Sequence, residues 1–388
     1  MATINARTID SAKNPGQVTR AAQSQGYARP ADQKYASLDA LTAYVSARRD
    51  ATSQYDTDVK DLSFAFAEPG LTPAEPRGIV AKAIVQTGKV QRTIATNPTH
   101  YAFGQVCSAL AAPAGYFREQ LADRPDLVIA ALNHGAQKHA KEGVKLMTVD
   151  RDGSTTPRLA AVTSQSYGRI WDADVALAAQ RILAANDKFY APLDWSREKR
   201  ALFASDRDVF MFFIDGGSIV DGGGDRDQLN RGFYLWNSEV GSKTFGIATF
   251  LFRQVCGNFG IWGAEDVRVM KIRHTSGGPE RFITDAIPAL AAYTTASAKP
   301  LEEAVRKAKA YALPAKDDEF AEFFKTRGFN AAEVKRAVEH ADAEEGQHAN
   351  LWDMYNGFTA AARHLAYADA SVNLQKRAGE LMTLVSGK

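Results

Sequence analysis

The chain has 388 residues, of which 45% are hydrophobic and 24% charged, with a formal net charge of +2. Those values fall in the range of globular proteins and allow one large domain or two smaller ones, and near-neutral charge gives no whole-protein argument for a nucleic-acid partner. Apolar runs such as Val209 to Ile214 fall far short of the roughly 18 consecutive residues of a membrane span. The first thirty residues lack a signal-peptide stretch, so a cytoplasmic protein with no membrane partner is expected. Cys107 and Cys256 form neither a CxxC pair nor a disulfide pattern, which fits a reducing compartment and excludes a cysteine-rich zinc site.

Residues 1–36 are rich in Ala, Ser, Gln and Asn and predict a mobile N-terminal arm. Ser37 then reads as the N-cap of a short helix through Leu38, Leu41 and Val45. The Pro-punctuated stretch 72–121 predicts a unit of short helices, with Pro76 at a start, Pro98 and Pro113 at breaks, and Ile79, Ala83 and Ile84 on one helical face. Strands are expected at Val144–Val149, Arg158–Val162, Val209–Ile214, Gly232–Trp236, Thr244–Phe252 and Val267–Arg273, interrupted by an amphipathic helix over Asp172–Ala185. Asp215–Asp227, rich in Gly and Asp, reads as a long mobile hairpin loop. Helical patterns fill the rest, near Pro279–Ala298, Leu301–Tyr311, Asp318–Thr326, Ala331–Glu345, Gln347–Ala366 and from Ser371 onward. Strands followed by helices predict an α+β fold: a mixed or antiparallel curved sheet with packed helices in a core domain at 37–278, then a helical C-terminal region at 279–388.

The segment GFYLWNSEVGSKTFGIATFLFRQVCGNFGIWG, followed by Arg273, His274 and Thr275, resembles the core of the phage and plasmid family catalogued as domain of unknown function 932. Four further pieces extend the resemblance over roughly residues 70 to 375: Phe103–Glu119, Arg158–Val175, the helix after His274, and Leu351–His364. The signature residues are Asn237, Ser238, Glu239, Gly241, Arg253, Cys256, Asn258, Arg273 and His274. The resemblance implies a phage or plasmid setting. By association it also implies an accessory role in DNA metabolism, binding single-stranded DNA and annealing complementary strands in recombination, with self-association by analogy with annealing proteins.

Between Arg77 and Arg118 there is no Asp or Glu, while Arg77, Lys82, Lys89, Arg92 and Arg118 are basic and Tyr101 lies among them. Cations interleaved with aromatic rings are what a single-strand groove requires, so these six residues are the candidate nucleic-acid contacts; a solvated helical face is the plainer account. Asn237 to Gly241 predict the connection of a β-hairpin. An alternative reading uses Glu239 as general base or metal ligand with His274 as acid, giving a metal-dependent hydrolase or nuclease; the plainer account is a turn whose polar groups satisfy backbone. Cys256 with His274 as nucleophile and base is weaker still than a packed thiol.

His340, Glu344 and His348 repeat every four residues, but successive side chains on a helix are spaced too far along its axis to share one metal readily. The aspartates of the Gly-rich loop lack a calcium-loop register. No phosphate-binding GxxxxGK[ST], GxSxG, HExxH or GxGxxG motif occurs. No cofactor, no metal and no catalytic residue is therefore favoured. A host-interaction protein without a nucleic-acid site is a third reading.

Overall fold

The computed structural model describes residues 30–66, 79–87, 90–139, 143–150, 154, 156–192, 199–221, 228–253, 258–260, 269–363, 374 and 377–385. The expected arm lies largely outside them, but Tyr35, whose N–H bonds Leu202 O, already packs against the core. Ser37 caps α1 (Leu38–Asp50), its hydroxyl accepting from Ala40 N at 3.1 Å, and α1 buries Leu41 and Val45.

The first sheet runs β1 (Thr52–Asp58), β5 (Gly143–Val149), β6 (Arg158–Ser164), β4 (Val90–Pro98), β3 (Ile79–Thr87), β2 (Leu62–Phe66). Every pairing is antiparallel except β4 with β6. Helices α2 (His100–Ala109), α3 (Ala114–Asp123) and α4 (Pro125–Lys138) share a core with this sheet through Phe103, Val106, Phe117, Val128 and Leu132.

Strands β3 and β4 pair antiparallel where helices are expected, and β1 and β2 were not anticipated. From Ala81 to Gln86 burial alternates strictly, and the stretch is rich in β-branched residues whose stiff side chains suit a pleated surface. The helical expectation holds for α2 and α3, where Pro98 precedes the first and Pro113 the second.

The second sheet runs β12 (Asn258–Gly260), β11 (Phe245–Arg253), β10 (Gln228–Asn237), β9 (Val209–Asp221), β7 (Phe189–Tyr190), with β13 (Val269–Ile272) on β11 and β8 (Leu202–Ala204) on β9. Residues 209–214 are apolar without alternation because both faces of β9 are covered. Val209, Met211 and Phe213 join a core with α1, α5 (Asp172–Ala184) and the helices after β13; on the other face Phe210 stacks with Trp236 and Phe212 with Tyr234, and Ile214 joins their cluster. Much of the expected mobile loop is strand, since β9 extends to Asp221 and β10 begins at Gln228; residues 222–227 lie outside the described part.

The helical segment α6 (Gly278–Arg281), a π turn (Phe282–Ala286) and α7 (Ile287–Thr295) packs into the core of the second sheet through Phe282, Ala286, Leu290 and Tyr293. A separate hydrophobic cluster starts at Leu301. It draws on α8 (Lys299–Ala310), α9 (Asp317–Lys325), α10 (Ala331–Glu345), α11 (Leu351–Arg363) and residues as far as Val385. The fold is thus α+β with antiparallel and mixed sheets and a helical C-terminal part.

Candidate functional site

The signature turn sits where the two sheets meet. Strand β10 ends at Asn237, and the chain reverses through Ser238, Glu239, Val240 and Gly241, with Gly241 at φ +90°, a conformation that favours glycine. The turn is tied to the first sheet by Gln105 of α2, whose amide donates to Val240 O and accepts from Val162 N, each at 2.9 Å. Val240 packs against Met147, Ala160 and Ala161. Ser238 Oγ donates to Arg207 O at 2.6 Å and accepts from Ser242 N.

Around this turn lies a buried polar cluster. Glu239 Oε1 is 3.2 Å from Arg48 Nε, its Oε2 accepts from Asp172 N at 3.1 Å, and its carbonyl accepts from Arg169. Asn237 Nδ2 donates to Ile170 O (2.8 Å) and to Asp172 Oδ1 (2.7 Å). Arg169 Nε donates to Gln54 Oε1 of β1, and its guanidinium lies against the rings of Tyr167 and Trp171. His274 stacks on Tyr167, ring centroids 5.0 Å apart, and its Nδ1 accepts from Ile170 N at 3.3 Å, which requires a neutral imidazole.

The electrostatics follow from burial. Two arginines face two carboxylates, so the cluster is formally neutral. Burial, then the charge of Glu239, drives the Asp172 carboxyl well above the usual range, against the pull of Arg48 and Asn237. His274 is pushed down to about 4, chiefly by burial and further by Arg169, while backbone groups of Gly168 and Lys243 oppose the shift. Burial also lowers Arg169, whereas at Arg48 burial is outweighed by Glu239 and Asp172 together with Tyr44 and Asp206.

Chemically, the arrangement holds sheets together better than it meets a substrate. Asp172 is 0% exposed and Glu239 1%, so no described opening brings solvent to either carboxylate. Asp172 Oδ2, Asn237 Oδ1 and Arg169 Nη2 have no hydrogen-bond partner among the described residues. With two guanidiniums already present, a further cation has little electrostatic reason to enter, and no group of three His, Cys, Asp or Glu among the described residues would hold a metal.

Of the signature residues, Asn237, Ser238, Glu239, Gly241 and His274 converge. Arg273 is exposed beside them. The backbones of Arg253 and Asn258 pair in β11 and β12, and Cys256 lies outside the described residues. The partners Arg48, Arg169 and Asp172 were not anticipated. Arg169 and Asp172 stand inside the Arg158–Val175 segment already singled out, but only folding shows that they face Glu239. His348 lies past Gly346, which ends α10 at φ +80°, and pairs with Asp342 at 2.6 Å. Cys107 is buried in the first core and its thiol is pushed up to about 11 by burial.

The basic block is spread over several surfaces. Arg77 and Lys89 lie outside the described residues. Lys82 pairs with Ala95 and Arg92 with Val85; paired residues point to the same side while neighbours alternate, so Lys82 and Arg92 occupy opposite faces of the hairpin. Both are exposed, and Arg92 lies over the Tyr55 ring at 5.6 Å and donates to its hydroxyl at 3.0 Å. Arg118 is half-buried over Phe103 and donates to His100 O, and Tyr101 lies beneath Arg207 at 5.0 Å.

The sequence matches the family described as Domain of unknown function (DUF932) over residues 160–381. The chain belongs to that family. The match takes in Glu239, His274, Arg169 and Asp172 but not the β3–β4 hairpin. No curated protein and no solved structure matches the chain.

Proposed function

We propose that this DUF932 protein is a non-enzymatic accessory protein of a phage or plasmid that binds single-stranded DNA around the β3–β4 hairpin and promotes annealing of complementary strands. The observation that carries the reading is the pairing of exposed Arg92 with Tyr55, on a hairpin that has neither Asp nor Glu between Ile79 and Pro98. A guanidinium fixed on an aromatic ring offers both phosphate attraction and a stacking face, the two elements of sequence-tolerant single-strand binding. Only Asn97 and Pro98 of β4 pair with β6, and the hairpin also reaches β1, where Thr57 Oγ1 donates to Ile84 O at 2.7 Å. Exposed Lys82, on the other face of the hairpin, offers a second phosphate contact.

The hydrolase alternative has less support, because Glu239 and His274 are buried in the cluster described above. Metal-dependent turnover lost in Glu239→Gln, with the fold retained, would restore it.

The test is retention of an oligothymidine at low and rising salt. Lys82→Glu with Arg92→Glu should weaken retention tenfold or more and reduce the logarithmic salt slope by up to about 2, roughly one for each lost phosphate contact. Arg118 is a poor probe because its side chain also supports α2. Unchanged retention by the double variant removes the hairpin from the reading. Light scattering with and without oligonucleotide tests self-association, and a monomer indifferent to DNA retires annealing.

A further inference from the structure

A second polar feature lies far along the chain from the hairpin. Where β7 and β9 meet the start of α8, a cleft of about 330 Å³ opens, lined by Lys188, Arg231, Ser297, Lys299 and Glu302 among others. That volume lies at the lower end of the ~300–1,000 Å³ usual for small-molecule sites. The lining carries three cations against the single carboxylate of Glu302; Asp215, paired with Arg231, answers one more, leaving one net positive charge.

Arg231 and the stem of Lys188 are held in place. Arg231 is 4% exposed, clasped between the rings of Phe189 and Tyr293. Its Nε donates to Asp215 Oδ2 at 2.8 Å, and its two Nη atoms donate to Tyr293 O and Thr294 O at 3.3 and 3.4 Å. These bonds engage three of the five N–H groups a guanidinium carries, and two of them are long. The stem of Lys188 crosses Gly217 so closely that a Cβ there would lie 2.9 Å from its Cδ. Ser297 Oγ accepts from Lys299 N at 3.2 Å, which leaves its hydroxyl hydrogen to donate. The positive end of the dipole of α8, a 12-residue helix, adds to the same field.

We propose that this cleft binds the phosphate of a phosphomonoester, either a free nucleotide or the terminal phosphate of a strand. Lysines serve as point charges for a phosphate, and a fixed guanidinium with hydrogens to spare gives direction. Glu302 limits the affinity from the rim. The proposal does not rest on the hairpin reading, since it uses none of the same residues.

Calorimetric titration of the full chain at low ionic strength tests it, with inorganic phosphate, adenosine 5′-monophosphate, adenosine, and hexathymidylate with and without a 5′-phosphate. Heat of binding is expected from adenosine 5′-monophosphate and not from adenosine, or else a tighter fit for the 5′-phosphorylated strand than for its unphosphorylated form. The first result assigns a free phosphomonoester, the second a strand end. Lys188→Ala with Lys299→Ala should weaken the phosphate-dependent part tenfold or more, and Glu302→Gln should tighten it several-fold. Both lysines are exposed, so the fold is expected to survive, as circular dichroism would show. If no phosphorylated probe binds better than its unphosphorylated counterpart, or if the double lysine variant binds phosphate as well as the parent, the proposal is overturned. Strand retention that persists in that variant while the phosphate-dependent part is lost separates this site from the hairpin.

Discussion

At the scale of single residues, Glu239 is clamped by the guanidinium of Arg48 and the Asp172 amide while almost wholly removed from water. Removing one charge of such a pair leaves the other buried and uncompensated, which typically costs about 3–5 kcal/mol. Glu239→Gln is therefore expected to lower the denaturation midpoint markedly in urea; a loss below about 1 kcal/mol would mean that the pair carries little of the junction. His274 makes the junction sensitive to pH. Its folded value is depressed to about 4 by burial, against about 6.5 for an unfolded histidine, so the unfolded chain takes up a proton where the folded chain does not. Its contribution is fully present above about pH 6.5, shrinks as pH falls toward 4, and amounts to something on the order of 3 kcal/mol. Asp172 acts in the opposite sense, because its raised folded value favours the protonated form and its contribution is lost as pH rises through that value. Comparing unfolding at pH 4.5 and pH 7 in the parent and in His274→Asn isolates the histidine. The pH difference should narrow in the variant, and an equal difference in both would exclude His274 as its source.

Among the elements, the pairing of β10 with β11 depends on one small residue. Gly246 stands opposite Trp236, and a Cβ on it would fall 1.9 Å from Trp236 Cζ2. The indole thus lies across the glycine, and its ring also stacks on Phe210. Gly246→Ala must displace a buried ring, at a cost of roughly 1–3 kcal/mol or more. Thermal unfolding reads this directly, and an unchanged midpoint would show that the indole can move aside freely. The hairpin β3–β4 carries the complementary lesson about legibility. Its apolar residues at Ile79, Ala83 and Ile84 fit a helical spacing as well as a pleated one, because short windows contain too few positions to separate the two periods. Ala83 is buried and Ile84 is 38% exposed, an alternation that only pairing with β2 and β4 imposes.

Across the whole molecule, the apolar residues form distinct clusters, and among the described residues the one from Leu301 to Val385 draws on none of either sheet. Phe358 lies at its centre, 4.2 Å from Phe329 and 5.3 Å from Phe324 between ring centroids. Phe358→Ala should cost about 3–5 kcal/mol. Hydrogen exchange should show the loss concentrated in α8 to α11, with β9 to β11 still protected, because cooperative opening follows shared packing. Equal loss of protection in both regions would mean that the clusters unfold as one.

The α+β class, the central strands β9, β10, β11 and β13 of the second sheet, the capped helix at Ser37, the C-terminal helices and the family itself were determined by the sequence, since each rests on local periodicity, capping or a contiguous motif; the short strands β7, β8 and β12 and the outer parts of β9 and β10 were not. The signature residues Asn237, Glu239 and His274 were visible in the same way. Their setting was decided only by tertiary structure. Arg48, Arg169 and Asp172 reach Glu239 from separate elements, and whether a carboxylate ends in a cleft or between two sheets depends on what folds over it. The same holds for the basic block, whose charges are contiguous in the chain but divided between the two faces of a hairpin by the alternation of the pleat.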